Sequence, residues 1–186
     1  PGFGATYVAD PTPARHTQAG LGYEEMGLGI MNEKLLLPYN LPKQAKYEYH
    51  HKGRKSALVS SYGQIINCAG LCMFHFFIVP TYPLLDYLRA ATGWDLSMEE
   101  LLTTGMRIQT LRHLFNIREG ISPQDFALPA RLTGSPPLSD GPLKGVSIDI
   151  ETLKTEHFRE MGWDEKTGRP SEEKLRELSL DEFILT

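Results

Sequence analysis

The chain has 186 residues, 41% of them hydrophobic and 23% charged. This length is enough for one ordinary domain or two small helical lobes. A net charge of -4 argues against nucleic acid as the main partner, because phosphate binding needs clustered Lys and Arg. The longest apolar run, Met73 to Pro80, is far shorter than the roughly 20 residues of a membrane span. There is no signal-peptide pattern, and two nearby cysteines make no disulfide framework. These features favour the cytoplasm, and the start at Pro1 without Met predicts a fragment.

The chain divides by composition into two segments. Residues 1–55 are rich in Gly and Pro and predict loops with short helices around residues 20–36, whereas residues 56–186 predict a helical C-terminal domain. The basic run Lys52-Gly53-Arg54-Lys55 is interpreted as a solvated surface turn. No β-alternation of useful length is present, so the fold class is all-α and multihelical.

Apolar spacing predicts two helices in the middle of the chain. Residues 56–77 indicate a buried helix that is interrupted near Gly70. A second helix follows Pro83, which suits a first helical turn, and ends at Gly93.

The clearest helix start is the capping box formed by Ser97 and Glu100. The helix is predicted to end near Arg118, with Gly120 in a left-handed conformation. Its buried face is predicted from the apolar positions at helical spacing. These are Leu101, Ile108, Leu111, Leu114 and Phe115.

Two more amphipathic helices are predicted towards the C-terminus. One follows Asp149 and stops at Gly162; its buried face is Ile150, Leu153, His157, Phe158 and Met161. The other starts at Ser171 and buries Leu175 and Leu178.

Few residues suggest chemistry by themselves. Cys68 and Cys72 are four apart and would share one side of a helix, as two metal ligands or, in the favoured interpretation, as ordinary core cysteines. The adjacent His50 and His51 make a poor ligand pair and favour a surface position. His16 lies in a Pro-flanked loop and is a candidate of the kind that loops often carry.

The stretch Asn67-Cys68-Ala69-Gly70-Leu71-Cys72 resembles the Asp-x-x-Gly-Leu-Cys motif of tungsten-containing aldehyde:ferredoxin oxidoreductases. Other short segments resemble the same family in the same order. They are Tyr7-Val8-Ala9-Asp10 with His16, Arg107 through Arg112, Phe115-Asn116-Ile117-Arg118-Glu119-Gly120, Leu128-Pro129-Ala130-Arg131, Gly141-Pro142-Leu143-Lys144-Gly145, Gly162-Trp163-Asp164 and Thr167-Gly168-Arg169-Pro170.

The resemblance implies the helical C-terminal part of an enzyme that oxidises aldehydes to carboxylic acids with a tungsten (or molybdenum) bis-pterin cofactor and passes electrons through a [4Fe-4S] cluster to ferredoxin. It implies that Cys72 is a cluster ligand, and that Asn67, Gly70 and Leu71 contact the pterin. Asn67 departs from the motif's Asp and loses its charge. His16 is the candidate catalytic residue, and Cys68 is left as a core residue.

The same resemblance implies that an N-terminal domain of the same polypeptide is missing. The fragment alone is therefore expected to bind no tungsten, pterin or cluster and to be inactive. Cys72 is expected near the surface, beside an exposed apolar face that includes Phe74, with Cys68 more buried. Two alternatives stay open: a non-catalytic helical interaction domain and an aromatic thioester reductase on the same scaffold. A homo-oligomer is also left open.

Overall fold

The computed structural model describes residues 1–18, 20–28, 30–31, 37–39, 41, 45–79 and 82–184. Helices dominate these residues, which form no strand and only two isolated bridges, Leu138–Lys144 and Trp163–Pro170. The predicted all-α class is confirmed. The α-helices are α1 (Gly2–Ala9), α2 (Leu21–Glu25), α3 (Lys52–Cys68), α4 (Met73–Ile78), α5 (Leu84–Thr92), α6 (Met98–Arg118), α7 (Ala130–Thr133), α8 (Ile150–Met161) and α9 (Glu172–Glu177). Single 3-10 turns lie at Leu37–Tyr39, Pro123–Phe126 and Asp181–Phe183.

Helix α3 is the centre of the molecule, and both α6 and α8 pack against it. Glycines permit the close approach on each side. A β-carbon on Gly105 of α6 would overlap the carbonyl oxygen of Ser61, and one on Gly53 would overlap the backbone of α8 at Leu153. The helices therefore meet nearly backbone to backbone, and no larger side chain fits at either crossing.

The basic run that begins α3 is not a solvated turn, and that prediction is wrong. Lys52 is 1% exposed, and its ammonium group contacts Glu25 at 3.0 Å and the carbonyl oxygen of Ala45 at 3.0 Å. Lys55 pairs with Glu24 at 3.7 Å, and burial raises the pKa of that glutamate. Both lysines are buried because α2 supplies a carboxylate for each, a contact that local sequence does not reveal.

Helix α6 has the predicted ends. Ser97 Oγ accepts from the Glu100 amide at 3.1 Å, and the Ser97 amide donates to the Glu100 carboxylate at 2.7 Å. Gly120 follows the helix with a φ of 80°. The capping box and the glycine thus set the bounds that the sequence predicted.

The predicted buried face of α6 is confirmed at Leu101, which is buried, and Leu114 packs partly buried against Leu175 and Leu178. The prediction is wrong at Leu111 and Phe115. Leu111 is 37% exposed and Phe115 is 54% exposed, and both line an open apolar groove of about 660 Å³ with Phe183. The fully buried residues of the C-terminal half are instead polar: Gln109, Thr110 and His113. Hydrophobic spacing misleads here because the inner contacts of α6 are largely hydrogen bonds and ring stacking.

Helices α8 and α9 match their predictions. Asp149 and Ser171 each accept a hydrogen bond from an amide of the first helical turn, at 3.1 Å in both cases. The predicted apolar face of α8 is buried throughout, and so are Leu175 and Leu178. Side-chain caps and apolar periodicity agree in these segments, so sequence and structure agree as well.

The first part of the chain contains more helix than predicted. Helix α1 was not predicted; it packs against α2, α3 and α8. Of the short helices expected around residues 20–36, α2 is present, and residues 32–36 lie outside the described residues. Among the described residues, none of the helices combines the length and the hydropathy that a membrane span requires.

Candidate functional site

The predicted motif forms a sharp turn between α3 and α4. Helix α3 ends at Cys68, and Gly70 then adopts a left-handed conformation with a φ of 70°. The Leu71 amide donates back to the Ile66 carbonyl oxygen at 3.1 Å, which closes the turn. Cys72 precedes the first residue of α4. The predicted interruption at Gly70 is confirmed, and it separates the two cysteines onto different elements.

Both cysteines are exposed free thiols. The exposure of Cys72 agrees with the expectation, but the assignment of Cys68 to the core is wrong. Cys68 is the last residue of α3 and belongs to an exposed run, residues 67–70, whereas the buried part of the helix ends at Ile66. Spacing of four residues would place both thiols on one helix face only if the helix continued.

An exposed apolar face adjoins Cys72, as predicted. Phe74 is 51% exposed and Ile78 is 82% exposed, while Met73 and Phe76 of the same short helix are buried. Helix α4 thus holds its inner side in the core and presents aromatic and aliphatic groups outward. Exposed apolar patches of this kind typically mark contact surfaces.

Asn67 meets the loop that carries His16. The Asn67 side-chain amide lies 3.4 Å from one end of the Gln18 amide, and Arg112 Nη1 lies 3.4 Å from the same end. The other end of the Gln18 amide lies 3.0 Å from Arg15 Nη1. His16 itself is exposed. The fold therefore brings residues 10–18 to the C-terminal end of α3. In the sequence, these two segments were related only because each resembles a motif of the same family.

Arg112 of α6 is the residue that sequence reasoning missed. It is half-buried, and its guanidinium donates to Gln64 Oε1 at 2.6 Å and to Thr12 Oγ1. Arg112 had been noted only as part of an Arg-rich segment. Its position three residues after Gln109 could have predicted an inward-facing arginine, because residues at this spacing share a helix face and both lie on the polar side of α6.

Asp10 lies behind this cluster and is fully buried. Its Oδ1 accepts from the Thr12 amide at 2.7 Å, whereas Oδ2 has no hydrogen-bond partner among the described residues. Burial raises the pKa of Asp10 to about 6, although the Thr12 hydrogen bond and the charges of Arg112 and Arg15 oppose the rise. The carboxyl group is thus harder to ionise than that of an ordinary aspartate.

The other sequence candidates lie on the surface. His50 and His51 are exposed, as predicted, and the His51 amide donates to Glu156 at 3.3 Å. Among the residues that the structure describes, no three His, Cys, Asp or Glu side chains come together as a metal site. The motif offers one exposed thiol at Cys72, beside the open turn at Gly70, and one side-chain amide at Asn67. Those groups fit one ligand bond and one polar contact to a larger cofactor assembly.

Comparison with known proteins identifies the family. The family model described as aldehyde ferredoxin oxidoreductase, domains 2 & 3, matches residues 1–180. The chain belongs to the aldehyde ferredoxin oxidoreductase family. The resemblance that rested on short motifs is confirmed over nearly the whole chain.

Curated relatives in this family carry the name tungsten-containing aldehyde ferredoxin oxidoreductase. The chain is 36% identical over 172 residues to the protein of Pyrococcus abyssi, and 34% identical over 172 residues to that of Pyrococcus horikoshii. It is 33% identical over 172 residues to that of Thermococcus kodakarensis. Each match covers 89% of this chain but only 28% of the relative. The chain therefore spans little more than a quarter of the length of the curated relatives that it matches.

Proposed function

We propose that the chain is the C-terminal part of an enzyme that oxidises aldehydes to carboxylic acids with a tungsten-pterin cofactor. The conversion takes up one water and releases two electrons and two protons, and the electrons leave through a [4Fe-4S] cluster to ferredoxin. The observation that carries the proposal is the exposed thiol of Cys72 at the left-handed turn of Gly70, next to Asn67 and an apolar face. Family membership supports the oxidoreductase chemistry.

Each motif residue has a distinct part in this proposal. Cys72, as a thiolate, is one ligand of the cluster. Asn67 accepts a hydrogen bond from the pterin amino group, more weakly than a carboxylate would. Gly70 has open space where a β-carbon would point, so that it and Leu71 can approach the cofactor closely. When bound, the tungsten-pterin group supplies the two-electron chemistry.

His16 is the proposed catalytic residue. It is exposed, within a loop whose Gln18 contacts Asn67 at 3.4 Å. A histidine at this place can act as a general acid or base towards the substrate. The substrate aldehyde would then lie between this loop and the cofactor.

The remaining family polypeptide is the proposed cover of the apolar face beside Cys72. An N-terminal domain would bring the other three cluster ligands and most of the pterin contacts. We propose accordingly that the isolated 186-residue chain is inactive and that the complete protein works in the cytoplasm. Tungsten is favoured over molybdenum because the curated relatives are named tungsten-containing.

The test uses the full-length protein with matched cysteine variants. We expect aldehyde-dependent reduction of ferredoxin by the wild-type protein, with stoichiometric tungsten and iron. Cys72→Ala should lose cluster iron, whereas Cys68→Ala, which removes another exposed thiol four residues away, should keep it. Loss of iron in both variants or in neither would contradict the ligand assignment, and absence of aldehyde oxidation in the loaded wild-type protein would contradict the activity.

Two further functions compete with this proposal. Asn67 in place of the motif's Asp favours an interaction domain that has lost catalysis, and the upstream coding sequence separates the two. A Cys-x-x-Cys-x-x-x-Cys segment there supports the enzyme, and its absence supports the interaction domain. An aromatic thioester reductase would share the scaffold, and thioester reduction in the same assay distinguishes it.

A further inference from the structure

We propose that Arg112 is a positioning residue that holds the loop of residues 10–18, with the candidate catalytic His16, against the Asn67 end of α3. The proposal rests on the function proposed above. It assigns to α6 a part in the site that neither the motif nor family membership assigns. Arg112 itself need not touch substrate or cofactor.

One guanidinium connects three separate parts of the chain. Arg112 Nη2 donates to Thr12 near the start of the loop, and Nη1 lies 3.4 Å from Gln18 at its end. Nη1 also donates to Gln64 at 2.6 Å, and Gln64 lies one helical turn before Asn67 in α3. A planar guanidinium presents several donors in a fixed fork, so it can keep the Thr12 and Gln64 acceptors in one relative arrangement.

A second side chain of α6 holds the same loop. Asn116, one turn after Arg112, donates from Nδ2 to the Pro11 carbonyl oxygen at 2.7 Å. Arg112 and Asn116 share a helix face because they are four residues apart. The loop is thus fixed to α6 at Pro11, Thr12 and Gln18, on both sides of His16.

The Arg112 guanidinium donates its hydrogen bonds to neutral oxygens and not to a carboxylate. Among the described residues Arg112 takes part in none of the ion pairs found. The nearby Asp10 accepts from the Thr12 amide at 2.7 Å, and the Arg112 charge acts on it without a direct ion pair. The role of Arg112 therefore depends on the directions of its hydrogen bonds. Lys has the same charge but not the planar set of donors, so it should not replace Arg112.

The contact between the loop and Asn67 links the positioning role of Arg112 to the reaction. One end of the Gln18 amide lies 3.4 Å from both Arg112 Nη1 and the Asn67 side-chain amide, so the loop and the motif meet at one junction of polar side chains. Release of the loop would move His16 relative to Asn67. Catalysis depends steeply on such placement, and a displacement of about 1 Å can cost about a hundredfold in rate.

The test compares Arg112→Lys and Thr12→Val with Arg118→Lys in the full-length, cofactor-loaded protein. Thr12→Val removes one acceptor and leaves the Arg112–Gln64 contact. Arg118 is on the same helix but is exposed and pairs with Glu119 at 2.9 Å, so it serves as the control. Hydrogen–deuterium exchange of residues 10–18 measures the loop, and kcat and KM for an aldehyde measure the reaction.

We expect exchange of residues 10–18 to be at least about tenfold faster in Arg112→Lys and Thr12→Val, with kcat lowered by about ten- to a hundredfold. The KM should change less than kcat, and the control should match wild type in both measurements. Unchanged exchange would overturn the positioning role whatever the activity. Faster exchange with wild-type kcat would overturn the link to catalysis. If wild type itself oxidises no aldehyde, the proposed function fails, and the exchange result still decides whether Arg112 holds the loop.

Discussion

The imidazole of His113 lies flat on the indole of Trp163, with ring centroids 4.0 Å apart and planes 8° from parallel. His113 Nε2 is 2.8 Å from the Gly168 carbonyl oxygen, and the neighbouring His157 is also buried against Gln109 at 3.3 Å. Burial lowers the pKa of His113 to about 4 and that of His157 to about 3. This aromatic centre therefore folds with both histidines neutral.

The free energy of unfolding should fall on acidification because of these histidines. Their folded pKa values are below the ordinary 6.5, so their contribution is fully present above pH 6.5 and is lost as pH falls towards 4. The loss is on the order of 3 kcal/mol for His113. Urea unfolding between pH 7 and 4.5 should show a flatter pH dependence in His113→Gln, while the exposed control His75→Gln keeps the wild-type slope. Parallel slopes for all three proteins would refute the assignment.

Asp10 should have the opposite effect to the histidines: it should lower the free energy of unfolding as the pH rises. Its folded pKa of about 6 lies above the ordinary 3.8, so its favourable contribution is present below pH 3.8 and is lost as pH rises through 6. The stability of Asp10→Asn relative to wild type should therefore increase between pH 4 and pH 7, by up to about 3 kcal/mol. Denaturant unfolding at both pH values measures it, with the exposed Asp95→Asn as control. A pH-independent difference would show that Asp10 is ionised normally.

Gly105→Ala should be strongly destabilising. A methyl group there would overlap the Ser61 carbonyl oxygen, and neither helix backbone can shift without disturbing the core. We expect a loss of about 3 kcal/mol in the free energy of unfolding. The neighbouring Thr104→Ala, whose side chain only bonds back to Glu100 within the helix, should change it little. Equal stability of both variants would mean that α3 and α6 are farther apart than the structure shows.

Thiol labelling should distinguish the chain from the complete protein. In the isolated chain Cys68 and Cys72 are both exposed and should react with a maleimide at comparable rates. In the loaded full-length protein Cys72 should become unreactive, because a ligand thiolate is bound and covered. Cys68→Ser and Cys72→Ser variants report on each thiol separately. A reactive Cys72 in the loaded protein would rule it out as a ligand.

Asn67→Asp should increase pterin content. A carboxylate forms hydrogen bonds roughly twice as strong as those of a neutral amide, and it would restore the motif residue of the family. Asn67→Ala, which has no acceptor, should lower the content below wild type. Pterin released from equal amounts of purified full-length protein gives the order Asp, Asn, Ala. The reverse order would place the pterin away from this residue.

The ends of α6, α8 and α9 were predictable because single residues such as Ser97 and Asp149 satisfy the first amides of a helix by local bonds. The burial of Lys52 was not predictable, because its partner Glu25 is 27 residues away. Helix α1 was missed for a similar reason. Its Gly2 packs against the backbone of α2, where a β-carbon would overlap Gly22, so a poor local helix former is favoured by a distant contact.

The site was only partly predictable. The motif located Cys72 and the turn at Gly70, which depend on local chain geometry. The junction between Gln18, Arg112 and Asn67 could not be predicted, since its members come from three separate elements. Cys68 was misplaced because the spacing rule assumes a continuous helix, and this helix stops at that residue.

The polar inner side of α6 also determines how the helices align. Hydrocarbon surfaces can slide past one another and still exclude water, but the bonds from Ser61 to Gln109 and from Arg112 to Gln64 form at only one offset. A shift of α6 by one turn along α3 would leave several buried donors and acceptors without partners, each at a cost of about 1–3 kcal/mol. Helix α6, which turns Leu111 and Phe115 outward, is thus held in one register on α3. The distance between the His16 loop and the Cys72 turn follows from that register.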